Sequence, residues 1–321
     1  MTMRVIAALL AVSILALAVS CTTNEATGKS ILNFISVDQE IRLGQEAAPQ
    51  FLNEYGGSVK NDALVQYVRQ LGLKIARSSE RSDLPWEVHV PDSMVLNAFA
   101  LPGGKVFVTR GMLAKLDNEA QLAGVLGHEV GHVTAQHVNQ RMSQAILVQA
   151  GAAGVGVAGD IADSDLLRVL GAGTSVGGGV YLLKFSRDQE SEADMLGVRY
   201  MTAHGYNPYG QVQVMKVLSE ASQGGAPPEF LSTHPYPETR IERLTALIES
   251  KYPGANDPAK YTFAAERYNK RVTQVLKQLP APRQPKNQGQ ATDDLDAAAL
   301  ALRDSGTWCG VCRHTHGDAA H

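Results

Sequence analysis

Two histidines and a glutamate in the segment His128-Glu129-Val130-Gly131-His132 have the spacing of a metal-dependent hydrolase. Histidines four residues apart on a helix project from the same face, and zinc binds imidazole nitrogens at ~2.0–2.1 Å. Zinc lowers the pKa of a coordinated water towards ~7, and Glu129 is placed to accept its proton before the water attacks a peptide carbonyl. The segment therefore predicts a zinc centre with Glu129 as catalytic base. The competing interpretation is an amphipathic helix with two ordinary histidines.

A zinc hydrolase needs a third protein ligand, and the residues directly after His132 do not supply one. A metzincin would have a histidine six residues later, where Val138 stands. His137 lies five residues on, about 140° from the ligand face of a continuous helix. We therefore interpret His137 as a surface or packing histidine.

The later segment 186–197 offers carboxylates instead. Glu190 and Asp194 are four residues apart, so they share one helix face. One of them could bind the metal while the other orients a ligand histidine through its free ring N–H. Glu192 points elsewhere and is interpreted as solvated or structural. The spacing leaves the choice between Glu190 and Asp194 open, and an acidic exposed helix is the alternative.

The surrounding pattern predicts an α+β fold that is mostly helical. Residues 86–90, 97–100 and 105–109 are typical of strands, and the Pro-Gly-Gly turn between the last two predicts a hairpin. Helices are expected at residues 118–141, 186–204, 209–222 and 237–250. The Gly- and Ala-rich stretch 145–182 favours a flexible insert or a pair of small-residue helices over a membrane hairpin, because charged residues interrupt it.

The amino terminus predicts export and lipidation. An apolar run at 5–19 precedes Cys21 in a context that resembles a bacterial lipobox. We expect a signal peptide at 1–20, lipidation of Cys21 and a lipidated tether at 21–36. Thr22 favours a lipid-anchored location at the bacterial outer membrane, facing the periplasm. An uncleaved anchor helix is the alternative.

Composition limits the other possibilities. The 321 residues carry a net charge of −3, so there is no basic excess for nucleic acid, and we expect no nucleic-acid partner. Cys309 and Cys312 are the two other cysteines, so the core has no disulfide framework. We predict a metallopeptidase domain at 37–265 and a poorly ordered tail at 266–321. The tail cysteines favour a disulfide or adventitious metal binding over redox catalysis.

Three motifs in order resemble one known family. They are HEVGH at 128–132, QESEAD at 189–194 and NAFALPGG at 97–104. Together they resemble the HtpX/BepA/LoiP-type zinc metalloproteases of peptidase family M48, which are gluzincins, and in particular the periplasmic lipoprotein members. The resemblance implies a zincin-like domain with a small β-sheet beside the HExxH helix. It implies one Zn²⁺ held by His128, His132 and Glu190, with Asp194 orienting a ligand.

The resemblance also implies residues that meet the substrate. The NAFA segment would be an edge strand beside the cleft, where an unfolded peptide could add as a further strand; its residues are Asn97, Ala98, Phe99 and Ala100. His234 and Arg240 stand in a segment similar to the family's HPxxxxRI. There His234 would be an extra ligand that blocks zinc, or would stabilise the oxyanion, and Arg240 would fix that loop or contact the carbonyl. A helix-entry role is the alternative for His234.

These features lead to three functional hypotheses. The first is a membrane-tethered zinc endopeptidase that degrades misfolded or misassembled envelope and outer-membrane proteins. The second is a chaperone-like client-binding protein for outer-membrane protein assembly, with gated or latent protease activity. The third is a coincidental motif in a structural lipoprotein. The sequence favours the enzyme, because Glu129 has no evident purpose in a purely structural metal site.

Overall fold

A computed structural model describes residues 21–152, 185–223, 228–235 and 237–282. The predicted signal peptide, most of the Gly- and Ala-rich stretch and the tail cysteines lie outside these residues. Within the described ranges, no helix is both long enough and apolar enough to cross a bilayer.

The described chain is mostly helical with two small sheets, which confirms the predicted α+β class. The strands are β1 Cys21–Thr23, β2 Ser30–Leu32, β3 Glu87–His89, β4 Ala98–Leu101 and β5 Lys105–Val108. The helices are α1 Val37–Glu54, α2 Asp62–Ala76, α3 Arg110–Lys115, α4 Glu119–Thr134, α5 His137–Ala152, α6 Arg187–Ala203, α7 Tyr209–Gln223, α8 Phe230–Thr233, α9 Pro237–Lys251, α10 Ala265–Tyr268 and α11 Gln274–Gln278.

The three-stranded sheet has the order β3-β5-β4. The antiparallel pair β4–β5 is the predicted hairpin, and Ala98 pairs with Val108. Its turn contains Gly103 and Gly104 at φ values of 68° and 81°, a left-handed conformation that glycine adopts without strain. The Gly103 N–H donates to Glu40 Oε1 at 3.1 Å, so α1 fixes the turn. Strand β4 is therefore held at one edge of this sheet.

The HExxH helix α4 is shorter than predicted. Asn118 caps it by accepting from the Gln121 N–H at 2.9 Å, as its sequence indicates. It ends at Thr134 rather than near residue 141, because Gln136 adopts a left-handed φ of 57°. The chain changes direction there, and a separate helix begins at His137.

Two expected boundaries need correction. The predicted tether 21–36 contains the β1–β2 hairpin, and Ile31 and Ile35 are buried. The first part of the predicted disordered tail is helical as far as Gln278, with a π-helical turn Asn269–Thr273 between α10 and α11. Both segments are ordered because they bury apolar side chains against the domain; in the tail these are Tyr268, Val272 and Leu276.

Candidate active site

Four buried side chains from three elements converge in the centre of the domain. His128 and His132 come from α4, Glu190 from the first turn of α6, and His234 from the residue after α8. Each offers one ligand atom, and these atoms lie within 4.8 Å of one another. The Nε2 atoms of His128 and His132 are 3.1 Å apart, and His234 Nδ1 lies 3.0 Å from Glu190 Oε1.

Glycines bring the two helices close enough for this convergence. A β-carbon on Gly127 would come 2.9 Å from the Gly197 carbonyl oxygen, and one on Gly131 would come 2.9 Å from the Ala193 carbonyl oxygen. A β-carbon on Gly197 would in turn meet the backbone nitrogen of His128 at 2.9 Å. Each glycine costs about 1 kcal/mol of helix stability relative to alanine. In return, the absence of a side chain allows the two helix backbones to come into close contact.

Asp194 and Arg240 lie behind the cluster. Asp194 Oδ1 is 3.0 Å from His128 Nδ1, whereas Glu190 lies among the converging ring nitrogens. Arg240 donates to both oxygens of Asp194, at 2.8 Å and 2.6 Å, and its Nη1 lies 2.5 Å from Glu190 Oε2. The guanidinium is buried between the two carboxylates, so it balances their charge.

The pKa values of Glu190 and Asp194 are lowered in this cluster, whereas the pKa of Glu129 is raised. Burial alone would raise the pKa of Glu190, but Arg240 and His234 outweigh it and lower the pKa well below its usual range. Burial would also raise the pKa of Asp194, but Arg240 and His128 outweigh it, so this pKa is lowered as well. Burial dominates at Glu129 and raises its pKa, although His234 and His128 oppose it. Glu190 and Asp194 are thus held as carboxylates, while Glu129 is made more basic.

His137 and Glu192 take part in the site, although the sequence interpretation placed them outside it. His137 is completely buried, and its Nδ1 lies 2.9 Å from His132 Nδ1. Its Nε2 lies 3.0 Å from Glu192 Oε2. The interpretation of His137 assumed a continuous helix, and the reversal at Gln136 returns the ring to His132. Gln136 itself gave no readable signal for that reversal.

The hydrogen bonds fix which ring nitrogens are free to bind a metal. Asp194 accepts from His128 Nδ1–H, and Glu192 accepts from His137 Nε2–H, which leaves His137 Nδ1 to accept from His132 Nδ1–H. The Nε2 lone pairs of His128 and His132 then face each other across 3.1 Å. Such a pair repels unless a cation binds both.

Zinc fits this set of donors. Imidazole nitrogens and a carboxylate oxygen are its usual protein ligands. Glu129 Oε1 is buried and has no hydrogen-bond partner among the described residues, with His234 Nε2 3.8 Å away, so this oxygen can accept a proton. His132 stays neutral because burial lowers its pKa well below the usual value. The residues present are therefore suited to hold a zinc ion.

The hairpin strand β4 borders this centre. A cavity is lined by Phe99, Ala100 and Leu101 of this strand, by Glu129 and His132 of α4, and by Phe185, Thr233 and His234. The segment before α8 is tied to the start of β4, because Asn97 Nδ2 donates to Glu229 Oε1 at 3.0 Å and the Tyr55 hydroxyl donates to the same oxygen. The four NAFA side chains are all buried.

Comparison with known proteins assigns the domain. The model of Peptidase family M48 matches residues 62–248, a range that contains the whole converging cluster. The chain belongs to peptidase family M48. This confirms the resemblance seen in the three sequence motifs.

The chain is also similar to individual proteases from bacteria and eukaryotes. The beta-barrel assembly-enhancing protease of Escherichia coli (strain K12) is 30% identical over 237 residues, 70% of this chain and 47% of that protein. The mitochondrial metalloendopeptidase OMA1 of Schizosaccharomyces pombe is 33% identical over 219 residues, 66% of this chain and 62% of that protein. The mitochondrial metalloendopeptidase OMA1 of Danio rerio is 31% identical over 244 residues, 69% of this chain and 49% of that protein. The M48 chain described here spans about half the length of the beta-barrel assembly-enhancing proteases it matches.

Proposed function

We propose that this M48 chain is a zinc-dependent endopeptidase. The observation that carries the proposal is the pair of opposed histidine nitrogens, 3.1 Å apart, beside the buried Oε1 of Glu129, which has no hydrogen-bond partner among the described residues. A structural zinc site is closed by four ligands and needs no base next to it. A buried carboxylate beside the ligands is instead the arrangement of a hydrolase.

Each residue then has a defined part in peptide hydrolysis. His128, His132 and Glu190 hold the zinc ion, which when bound supplies a Lewis acid for the carbonyl and lowers the pKa of water. Glu129 accepts the proton of the attacking water at Oε1 and delivers it to the departing amine. Asp194 orients His128, and Arg240 fixes Asp194 and Glu190.

The substrates of this proposed peptidase are unfolded or misassembled envelope and outer-membrane proteins. The edge position of β4 supports this, because main-chain pairing to a strand tolerates many sequences. The names of the bacterial relatives, which are beta-barrel assembly-enhancing proteases, point in the same direction. The sequence before Cys21 supports a lipid anchor, and Thr22 after it favours the outer membrane, with the domain facing the periplasm.

The test is the variant Glu129→Gln, which removes the base and keeps the size of the side chain. We expect it to retain one zinc per chain and to lose cleavage of an unfolded protein by about 10²–10⁴-fold. Glu242→Gln is the matched control, because Glu242 is exposed on α9. Unchanged cleavage by Glu129→Gln would rule out the proposed mechanism.

A specific observation favours a second function. His234 Nδ1 lies 3.3 Å from His128 Nε2 and 3.0 Å from Glu190 Oε1, so it can complete the ligand set and block the site. The chain would then act as a chaperone-like client-binding protein with latent protease activity. In that case Glu129→Gln would still bind unfolded outer-membrane proteins and would complement a deletion strain. The endopeptidase proposal predicts that it binds such proteins but fails to complement.

A further inference from the structure

The turn after the HExxH helix places a second histidine behind a proposed zinc ligand. Helix α4 ends at Thr134, Gln136 takes a left-handed φ of 57°, and α5 starts at His137. The ring centroids of His132 and His137 are 4.9 Å apart, with the rings steeply inclined at 72°. This geometry directs one ring nitrogen of His137 at the Nδ1 of His132.

A carboxylate sets the direction of every hydrogen bond in this chain of groups. Glu192 Oε2 can only accept, so His137 Nε2 carries the proton across their 3.0 Å contact. A neutral imidazole carries one N–H, and here the Glu192 contact places that proton on Nε2 of His137. Its Nδ1 is therefore an acceptor, and His132 must donate from its own Nδ1 at 2.9 Å. The Nε2 lone pair of His132 then points into the metal cluster.

The amino-terminal hairpin reaches the same groups from outside. Lys29, next to strand β2, forms an ion pair with Oε1 of Glu192. On the same hairpin, Asn24 Nδ2 donates to the Thr134 carbonyl at 2.8 Å, where α4 ends. The hairpin therefore holds both the carboxylate and the turn that presents His137.

We propose that Glu192 and His137 are positioning residues for His132, and that Lys29 anchors them from the amino-terminal hairpin. The inference rests on the proposed zinc function. According to this inference, His128 and His132 are oriented by different groups. His128 is oriented by Asp194 directly, whereas His132 is oriented through a neutral imidazole. The ordered segment after Cys21 is thereby part of the metal site's framework.

The test measures zinc affinity by competition with a chromophoric chelator. His137→Phe keeps a ring of similar size and removes the acceptor for His132 Nδ1–H, so we expect zinc to bind about 10–100-fold more weakly. His137→Asn keeps an acceptor near the Nδ1 position and should lose less. Lys29→Met should lose at most about fivefold, because Lys29 is exposed and such pairs contribute at most about 1 kcal/mol.

Further readouts separate positioning from a packing role. The visible absorption of Co²⁺-loaded protein reports ligand geometry, and we expect it to change in His137→Phe. The control His204→Phe, at a partly exposed histidine hydrogen-bonded to Ser78, should leave both the spectrum and the zinc affinity unchanged. If His137→Phe does not fold, Glu192→Gln takes its place and should weaken zinc binding in the same direction.

The outcomes distinguish this inference from the proposed function. If His137→Phe keeps the zinc affinity and the Co²⁺ spectrum of the wild type, the positioning role is overturned and the proposed zinc centre is not. The same holds for Glu192→Gln if it replaces that variant. A wild-type protein that binds no zinc would overturn the zinc function and, with it, the role assigned to His137. Zinc affinity that is lowest in His137→Phe, intermediate in His137→Asn and highest in the wild type supports the inference.

Discussion

Gly131 of the HExxH helix and Ala193 of the carboxylate helix touch so closely that a β-carbon on Gly131 would come 2.9 Å from the Ala193 carbonyl oxygen. This contact sets the distance between α4 and α6. Because His132 and Glu190 flank the contact on the two helices, the same distance decides whether a nitrogen and a carboxylate can share one metal.

Gly131→Ala should therefore disturb both the fold and the metal site. Alanine in an unconstrained helix would stabilise the protein by about 1 kcal/mol. Here we expect a loss of roughly 1–3 kcal/mol, because the added methyl group must push α6 away. Urea denaturation of the metal-free protein gives the stability, and chelator competition gives the zinc affinity, which should also fall. An increase in stability would contradict the close contact.

Arg240→Met should destabilise the fold strongly. Burial alone would lower the pKa of Arg240, but Asp194 and Glu190 raise it above its usual range, so the guanidinium stays charged. Removing it leaves two buried carboxylates without their shared partner, a change that costs about 3–5 kcal/mol. Urea unfolding measures the loss. Arg243→Met is the control on the same helix, because Arg243 is exposed and its loss should change stability by less than about 0.5 kcal/mol.

His234→Ala tests whether the loop histidine restrains the site. Its Nδ1 lies among the ligand atoms, so its removal should open the cluster to substrate and raise kcat/KM for an unfolded peptide. A rise on the order of tenfold corresponds to one lost contact of about 1.4 kcal/mol. His204→Ala serves as the control. A fall in kcat at constant KM would instead assign His234 to the transition state.

Glu229→Gln should show a pH-dependent effect on stability. Burial raises the pKa of Glu229 above its ordinary value of 4.5, although hydrogen bonds from Tyr55 and Asn97 oppose the rise. A raised folded pKa means that Glu229 favours folding below pH 4.5 and that this contribution is lost as the pH rises through the folded pKa. The variant should therefore gain stability relative to the wild type between about pH 4 and neutrality. Thermal unfolding across this range checks the trend; a difference that is constant with pH would contradict it.

The sequence predicted those parts of the molecule that depend on local rules. The cap at Asn118, the capping box of Ser186 with Gln189 and the β4–β5 hairpin each follow from residues close together in the chain. The approach of His128 to Glu190 required the family resemblance, since spacing within one helix does not reveal which other helix packs against it.

Other features depend on contacts that a linear pattern does not contain. The left-handed Gln136 interrupts a segment that is helical in composition, so His137 was placed on the wrong face. Tyr268 lies among polar residues in the sequence, so its burial was not predicted. Its side chain is completely buried and its hydroxyl donates to the Leu113 carbonyl at 2.7 Å. In each case a tertiary contact outweighs the local signal.

Anomalous X-ray diffraction at the zinc edge, on crystals of the wild-type protein, tests the central claim most directly. We predict one strong anomalous peak per domain within bonding distance of His128 Nε2, His132 Nε2 and Glu190, at about 2.0–2.2 Å from each. A zinc-loaded crystal without a peak there, or with zinc bound only elsewhere, would contradict the account.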